Sequence, residues 1–177
     1  LRAATSQPPT QSYYPKSQMR VAPTLDRSWR IDAENATDWL VVEMICTDAS
    51  QMPDEPLADK LALFMAADED WTELITPELA DQFSSQIIHV SRAISTAEKA
   101  QDLTGSLFIK PEEANTWFGA INQARLSLEE RFEVSKYDDL ADDEQSIEFE
   151  DPSLKAAIIR YHFYTSLQSI LLEYILD

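Results

Sequence analysis

The feature that most constrains this chain is its shortage of glycine: Gly105 and Gly119 are the only two in 177 residues. Tight hairpins need residues that take positive φ at little steric cost, and glycine is the main one. A β-rich fold would need many more such turns. Ala, Leu, Glu and Gln are plentiful instead, and these favour helix. Hydrophobic residues make up 44% of the sequence, enough to fill one core in a chain of this length. The fold class expected is therefore all-α: a helical bundle of about five main helices with a minor two-stranded β ribbon.

Apolar spacing and helix-start chemistry place the helices. Residues 33–49 read as the first, with Ala36, Leu40 and Ile45 on a broad apolar face. Pro56 opens the second, where Leu57, Leu61, Phe64 and Met65 share a side. Thr76-Pro77-Glu78 reads as a third start, with Thr76 as N-cap and Pro77 in the first helical position. Leu79, Phe83, Ile87, Val90, Ile94 and Ala97 then form one long stripe. That helix is expected to stop near Thr104, with Gly105 as a left-handed cap. Pro111-Glu112-Glu113 opens a fourth helix, and Asp151-Pro152 caps a fifth that carries Leu154, Ile158, Tyr161, Leu167, Leu171 and Ile175.

An internal echo supplies the ribbon. Residues 31–40 and 109–118 share Ile, Glu, Ala and Trp at equal offsets: Ile31 with Ile109, Glu34 with Glu112, Ala36 with Ala114, Trp39 with Trp117. Each copy is an extended piece that runs into a helix with Trp in its second turn. The expectation is that 29–31 pairs with 107–109, which would set the two Trp-bearing helices side by side in pseudo-symmetry.

Residues 1–28 are rich in Pro, Ser, Thr and Gln and read as an N-terminal polar tail, leaving 29–177 as a single helical domain. The tail has no apolar h-region, so a signal peptide is not expected, and Met19 stands as a candidate initiator. No stretch is long and apolar enough to cross a membrane.

Charge narrows the partners. Thirty-two acids against 14 bases give a formal charge of -18. A field of that sign repels nucleic-acid phosphates and anionic lipid heads, so neither nucleic acid nor membrane is an expected partner. A basic protein surface or a second copy of the chain fits better. Cys46 is the only cysteine, which excludes an internal disulfide and fits a cytoplasmic location. It lies in the apolar run Val41-Val42-Glu43-Met44-Ile45-Cys46 and reads as a small core residue rather than a nucleophile.

The usual sites of chemistry are missing from the sequence. There is no Gly-rich phosphate loop, nucleophile elbow, C-x-x-C pair or dinucleotide fingerprint. His89 and His162 are the only histidines, and neither sits in a metal-binding spacing. The acids of residues 138–151 crowd one segment but include no glycine, so an EF-hand loop does not fit. The expectation is a non-enzymatic protein with no catalytic residue, metal or cofactor.

The run Trp117-Phe118-Gly119-Ala120-Ile121-Asn122-Gln123-Ala124-Arg125-Leu126-Ser127-Leu128-Glu129-Glu130-Arg131-Phe132 resembles the W-x-x-x-[LI]-N-x-x-R-L-x-L-x-x-R signature of a bacterial family catalogued as domain of unknown function two-thousand-and-seventeen. The last helix, with Tyr161, Leu167, Gln168 and Leu171, is similar to that family's closing segment. The likeness covers roughly the last seventy residues, and this chain departs at Glu129, where members commonly carry Gly. The resemblance implies an all-α fold and no particular activity.

Asn122 and Arg125 lie one turn apart beside the Trp117–Ile121–Leu128 stripe, and Gln168 sits within the apolar stripe of the last helix. Polar groups on packing faces need partners. Arg125 and Asn122 are expected to bond across to Gln168, to the backbone of the last helix or to an acid, as a clamp that fixes helix register, or else to line a pocket where Arg125 grips a carboxylate or phosphate. The role that follows is a cytoplasmic interaction or regulatory protein, adaptor-like, that meets its partner through Asp138, Asp139, Asp142, Asp143 and Glu144. The alternative is a small-anion or metabolite-binding sensor built on Arg125 and Asn122.

Overall fold

The echo between the two Trp segments is realised in a ladder. A computed structural model of the chain describes residues 19–65, 70–137 and 151–176. In it, strand β2 (Trp29–Ala33) runs antiparallel to β3 (Gly105–Ile109), pairing Trp29 with Ile109 and Ile31 with Leu107. Those two pairs are images of one another under the echo, because Trp29 corresponds to Leu107 and Ile31 to Ile109. A local pseudo-twofold therefore passes through the pair Arg30–Phe108. The expected ribbon has two strands, but the sheet has three. Strand β1 (Arg20–Pro23), from the segment read as polar tail, pairs with the other edge of β2. Its residues Val21 and Ala22 are too few to show a period-two signal among polar neighbours.

Five α-helices follow among the described residues: α1 (Ala36–Ala49), α2 (Leu57–Phe64), α3 (Thr76–Thr96), α4 (Ala114–Phe132) and α5 (Pro152–Leu176). α1 starts three residues later than the apolar pattern indicates because Asn35 caps it. The Asn35 carboxamide oxygen accepts from the N–H groups of Thr37 at 2.8 Å and Asp38 at 3.1 Å, while Asp38 accepts from the N–H of Glu34 at 2.9 Å.

Thr76 is not an N-cap. A π-helical turn, Trp71–Ile75, leads straight into α3. The physical reason is Pro77, which has no N–H to give to the carbonyl four residues back and whose ring would crowd it. The helix widens there, and Thr76 donates its N–H to the carbonyl of Trp71, five residues back, with its hydroxyl on the same oxygen at 3.2 Å.

Gly105 is not a helix cap either. α3 ends at Thr96, and Ala97 is already extended. Gly105 is the first residue of β3, where a Cβ would stand 2.4 Å from the carbonyl oxygen of Glu98 and 2.9 Å from the Trp39 ring. Close approach, not positive φ, requires glycine here. The positive-φ positions of the described residues are all non-glycine: Arg27, Asp54, Leu103 and Glu133. Glu133 closes α4 in the left-handed region at φ 51 and ψ 46.

α4 is the central helix and packs against α1, α3 and α5. Trp117, Ala120, Ile121, Ala124 and Leu128 are fully buried along it. They meet Val42 and Ile45 of α1, Val90 and Ile94 of α3, and Tyr164, Leu167 and Leu171 of α5 in one core. The inner face of the sheet adds Ile31, Leu107 and Ile109. Both echo tryptophans are buried, as the pseudo-symmetry requires. Their polar ends differ: Trp39 donates to the carbonyl of Leu103 at 2.8 Å, while Trp117 Nε1 has no hydrogen-bond partner among the described residues.

Candidate functional site

Three places gather polar or charged groups: a seam between α4 and α5, a buried carboxylate that ties three helices, and a cleft beside β3.

The seam contains the residues singled out from sequence. Arg125 donates through Nη1 to the Gln168 oxygen and through Nη2 to the Tyr161 hydroxyl at 3.1 Å. Gln168 donates in turn to Asn122 at 3.3 Å. The guanidinium also lies 4.9 Å from the centre of the Tyr161 ring, within cation–π range. Asn122, Arg125 and Gln168 are thus brought together as one hydrogen-bonded chain across the interface. Both ends of the guanidinium fork are occupied by side chains, and among the described residues Nε is buried without a hydrogen-bond partner. Among the described residues no carboxylate pairs with Arg125.

The carboxylate of Asp48, near the end of α1, is fully buried. Arg160 grips it with two bonds, Nε at 2.7 Å and Nη2 at 3.2 Å, and the Tyr164 hydroxyl donates to it at 2.9 Å. Arg131 adds a third cationic contact at 3.5 Å. Burial, then the Asp48 charge, push the Tyr164 hydroxyl far above its usual pKa, so it stays a donor. Sequence reasoning missed this cluster. Its available signal was an acid near the C-terminal end of a helix, where the dipole disfavours negative charge and a cation must answer it.

The cleft lies between α3 and the outer edge of β3 and has a volume of about 950 Å³. His89, Arg92, Ala93 and Thr96 recur at steps of three and four along α3 and, with Ala97 just past its end, form one wall. Thr104 to Phe108 form the other. The bridge between Lys99 and Gly105 closes one end, and Lys110 and Glu113 stand at the other. In a chain with more than twice as many acids as bases, this lining has more bases than acids. Arg92, Lys99, Lys110 and His89 face only Glu98 and Glu113. Lys99 is committed to Glu43 at 2.8 Å, and its ammonium sits 4.4 Å over the Trp39 ring. His89 Nε2 is 3.3 Å from Glu113 without hydrogen-bond alignment. Arg92 and Lys110 are exposed, and neither has an ion pair among the described residues.

The remaining expected sites divide. Asp138, Asp139, Asp142, Asp143 and Glu144 lie outside the described residues. Cys46 packs against the core, its thiol 3.7 Å from the carbonyl of Ile87, and burial pushes its pKa up to about 11. At neutral pH it is a protonated thiol, a poor nucleophile. Glu129, the departure from the family pattern, accepts from the N–H of Ser135 at 2.9 Å and from its hydroxyl at 2.6 Å. The acid therefore ties down the turn that follows α4. Among the described residues no helix is long and apolar enough to cross a membrane, and no group of three His, Cys, Asp or Glu side chains is placed to hold a metal ion.

The profile of a domain of unknown function, DUF2017, matches residues 19–175. The chain belongs to the DUF2017 family. The match begins at the residue before β1 and runs through α5, so the family unit of this DUF2017 chain includes all three strands and all five helices. The similarity extends well ahead of the C-terminal motifs that first pointed to it. No curated protein and no solved structure matches the chain.

Proposed function

We propose that this protein is a non-enzymatic interaction module that holds a partner polypeptide in the cleft between α3 and β3. One observation carries the reading: among the described residues, the outer edge of β3 beyond the Lys99–Gly105 bridge pairs with no other strand along that cleft. Edge strands offer unpaired backbone groups, and folded proteins normally guard them. The opposite edge of the sheet is guarded, since β1 is short and ends in Pro23. β3, with the sequence Gly-Ser-Leu-Phe-Ile, carries neither proline nor charge. Beside it runs a trough whose lining includes Ala93, Thr96 and Ala97, with a volume inside the range of ligand-binding clefts.

Site-specific photo-crosslinking in cells tests the reading. A benzophenone side chain at Thr96 or at Phe108 is expected to capture a protein, while one at the exposed Leu172 of α5 is not. Capture at Leu172 alone would overturn it.

A second reading, a small-anion sensor at Arg125, is favoured by the missing carboxylate at that guanidinium. It predicts that inorganic phosphate or a dicarboxylate raises the melting temperature of the protein and that Arg125→Lys removes the effect. No shift in the unmodified chain would end this reading.

A further inference from the structure

The backbone of β3 says what form the cleft's occupant takes. The carbonyl of Thr104 points away from β2, because it accepts the N–H of Ala100 at 2.8 Å outside the ladder. In an antiparallel strand such groups alternate, so the outward groups of β3 belong to Ser106 and Phe108; the Lys99–Gly105 bridge engages the Ser106 N–H, which leaves the Ser106 carbonyl and both groups of Phe108. Among the described residues no backbone bond outside the ladder reaches Phe108. The chain itself begins a fourth strand there: Lys99 bridges Gly105, and the segment then turns back into α3. The edge is thus already shaped for strand addition, and beyond that bridge no other strand pairs with it among the described residues.

Charge says which segment fits. Arg92 on the helical wall and Lys110 at the end of the strand are exposed and unpaired among the described residues, while Lys99 and His89 have acidic neighbours. The net charge of -18 opposes a long acidic tract, so the complement is one or two carboxylates and no more.

We infer that the cleft takes a single extended segment of a partner protein as a fourth strand beside β3, and that this segment bears one or two carboxylates that meet Arg92 and Lys110. Main-chain bonds to Ser106 and Phe108 supply affinity, and the two cations supply register and selectivity. Side chains alternate along such a segment, so those facing α3 must be small enough to sit over Ala93 and Ala97. The inference rests on the cleft being the interaction surface, and the experiment separates the two.

The full chain is panned against a displayed library of short random peptides, and one recovered peptide is synthesised for fluorescence anisotropy. Recovered peptides are expected to be rich in β-branched residues and to carry a carboxylate. Their affinity should fall about tenfold against the Arg92→Glu, Lys110→Glu double variant, in which both changes are on exposed side chains. N-methylation of every second peptide amide should abolish binding, while N-methylation of the intervening amides should leave it intact. That pattern is the signature of strand addition and requires no change to the protein.

Thr96→Trp, an exposed position that fills the trough, separates the outcomes. Peptides lost on this substitution but indifferent to both the charge reversal and the N-methyl pattern would overturn the inference and leave the cleft as the interaction surface. Peptides that survive Thr96→Trp, or an empty selection, would overturn both.

Discussion

At the scale of single residues, Asp48 carries the largest electrostatic commitment in the described structure. A buried carboxylate is tolerated because Arg160 and Tyr164 satisfy it and Arg131 adds positive charge. Removing it strands those partners in a poorly solvated site. Asp48→Ala is expected to lower unfolding free energy by about 3–5 kcal/mol, read by urea denaturation. A loss no larger than that of an exposed Asp→Ala change would show that the cluster contributes nothing. Glu133 is the opposite case, a residue held in left-handed backbone at a helix end where glycine is favoured. Its ion pair with Lys136 is exposed and therefore weak. Glu133→Gly should stabilise the chain by about 1 kcal/mol through relief of backbone strain, visible as a raised midpoint in the same assay. Cys46 gives a pH prediction. Its thiol titrates near 11 in the folded state against an ordinary value of 9.0, so the folded state holds its proton longer. The sign follows: this group favours folding fully below pH 9, and the contribution is lost as pH rises through about 11. Alkylation by iodoacetamide in the native protein should have its rate midpoint near that upper value, and a midpoint near 9.0 would contradict the burial.

At the scale of elements, the seam between α4 and α5 behaves as one unit. Arg125, Gln168, Asn122 and Tyr161 share their bonds, so their substitutions should not add. Gln168→Leu alone leaves a guanidinium nitrogen unpaired and should cost about 1–3 kcal/mol. The Arg125→Leu, Gln168→Leu double variant should cost less than the sum of the singles, measured by a double-mutant cycle in thermal or urea unfolding. Strict additivity would mean that the bonds contribute nothing jointly. Much at this scale was legible in advance. The strand pairing and the meeting of the Trp helices followed from Ile31, Ala36 and Trp39 matching Ile109, Ala114 and Trp117, because antiparallel pairing is set by where apolar residues fall on each strand. The contact between Arg125 and Gln168 followed from the need of polar groups on packing faces for partners. What failed has local causes. Thr76-Pro77 looks like a helix start, and the same proline, with helix already running in from Trp71, produces a π turn instead. Gly105 looked like a cap because sequence shows the permissive backbone of glycine and not the crowding that demands it. β1 is four residues long, too short to betray a period.

At the scale of the whole molecule, acidity that looks uniform in composition is arranged unevenly. The cleft beside β3 collects cations from α3, the connection after it and the end of β3, all within residues 92–110. Arg92, Lys99 and Lys110 are near one another in sequence but share no single element: the chain leaves α3 and turns into β3 between them, and that turn makes the facing walls, whereas each side of the seam is a single helix stripe. The pseudo-twofold through Arg30 and Phe108 carries a consequence for how the chain holds together. It divides the protein into two strand-and-helix halves that meet through the β2–β3 ladder, through α1 against α4 and α3 against α4, and through the bonds from Asp48 to Arg160 and Arg131. The connection between the halves crosses at Gln101 and Asp102, both exposed. Severed there, the two fragments have every reason to recombine. Limited proteolysis at that point should leave a particle that elutes at the mass of the intact chain, and the two pieces expressed separately should complement one another into a single folded body.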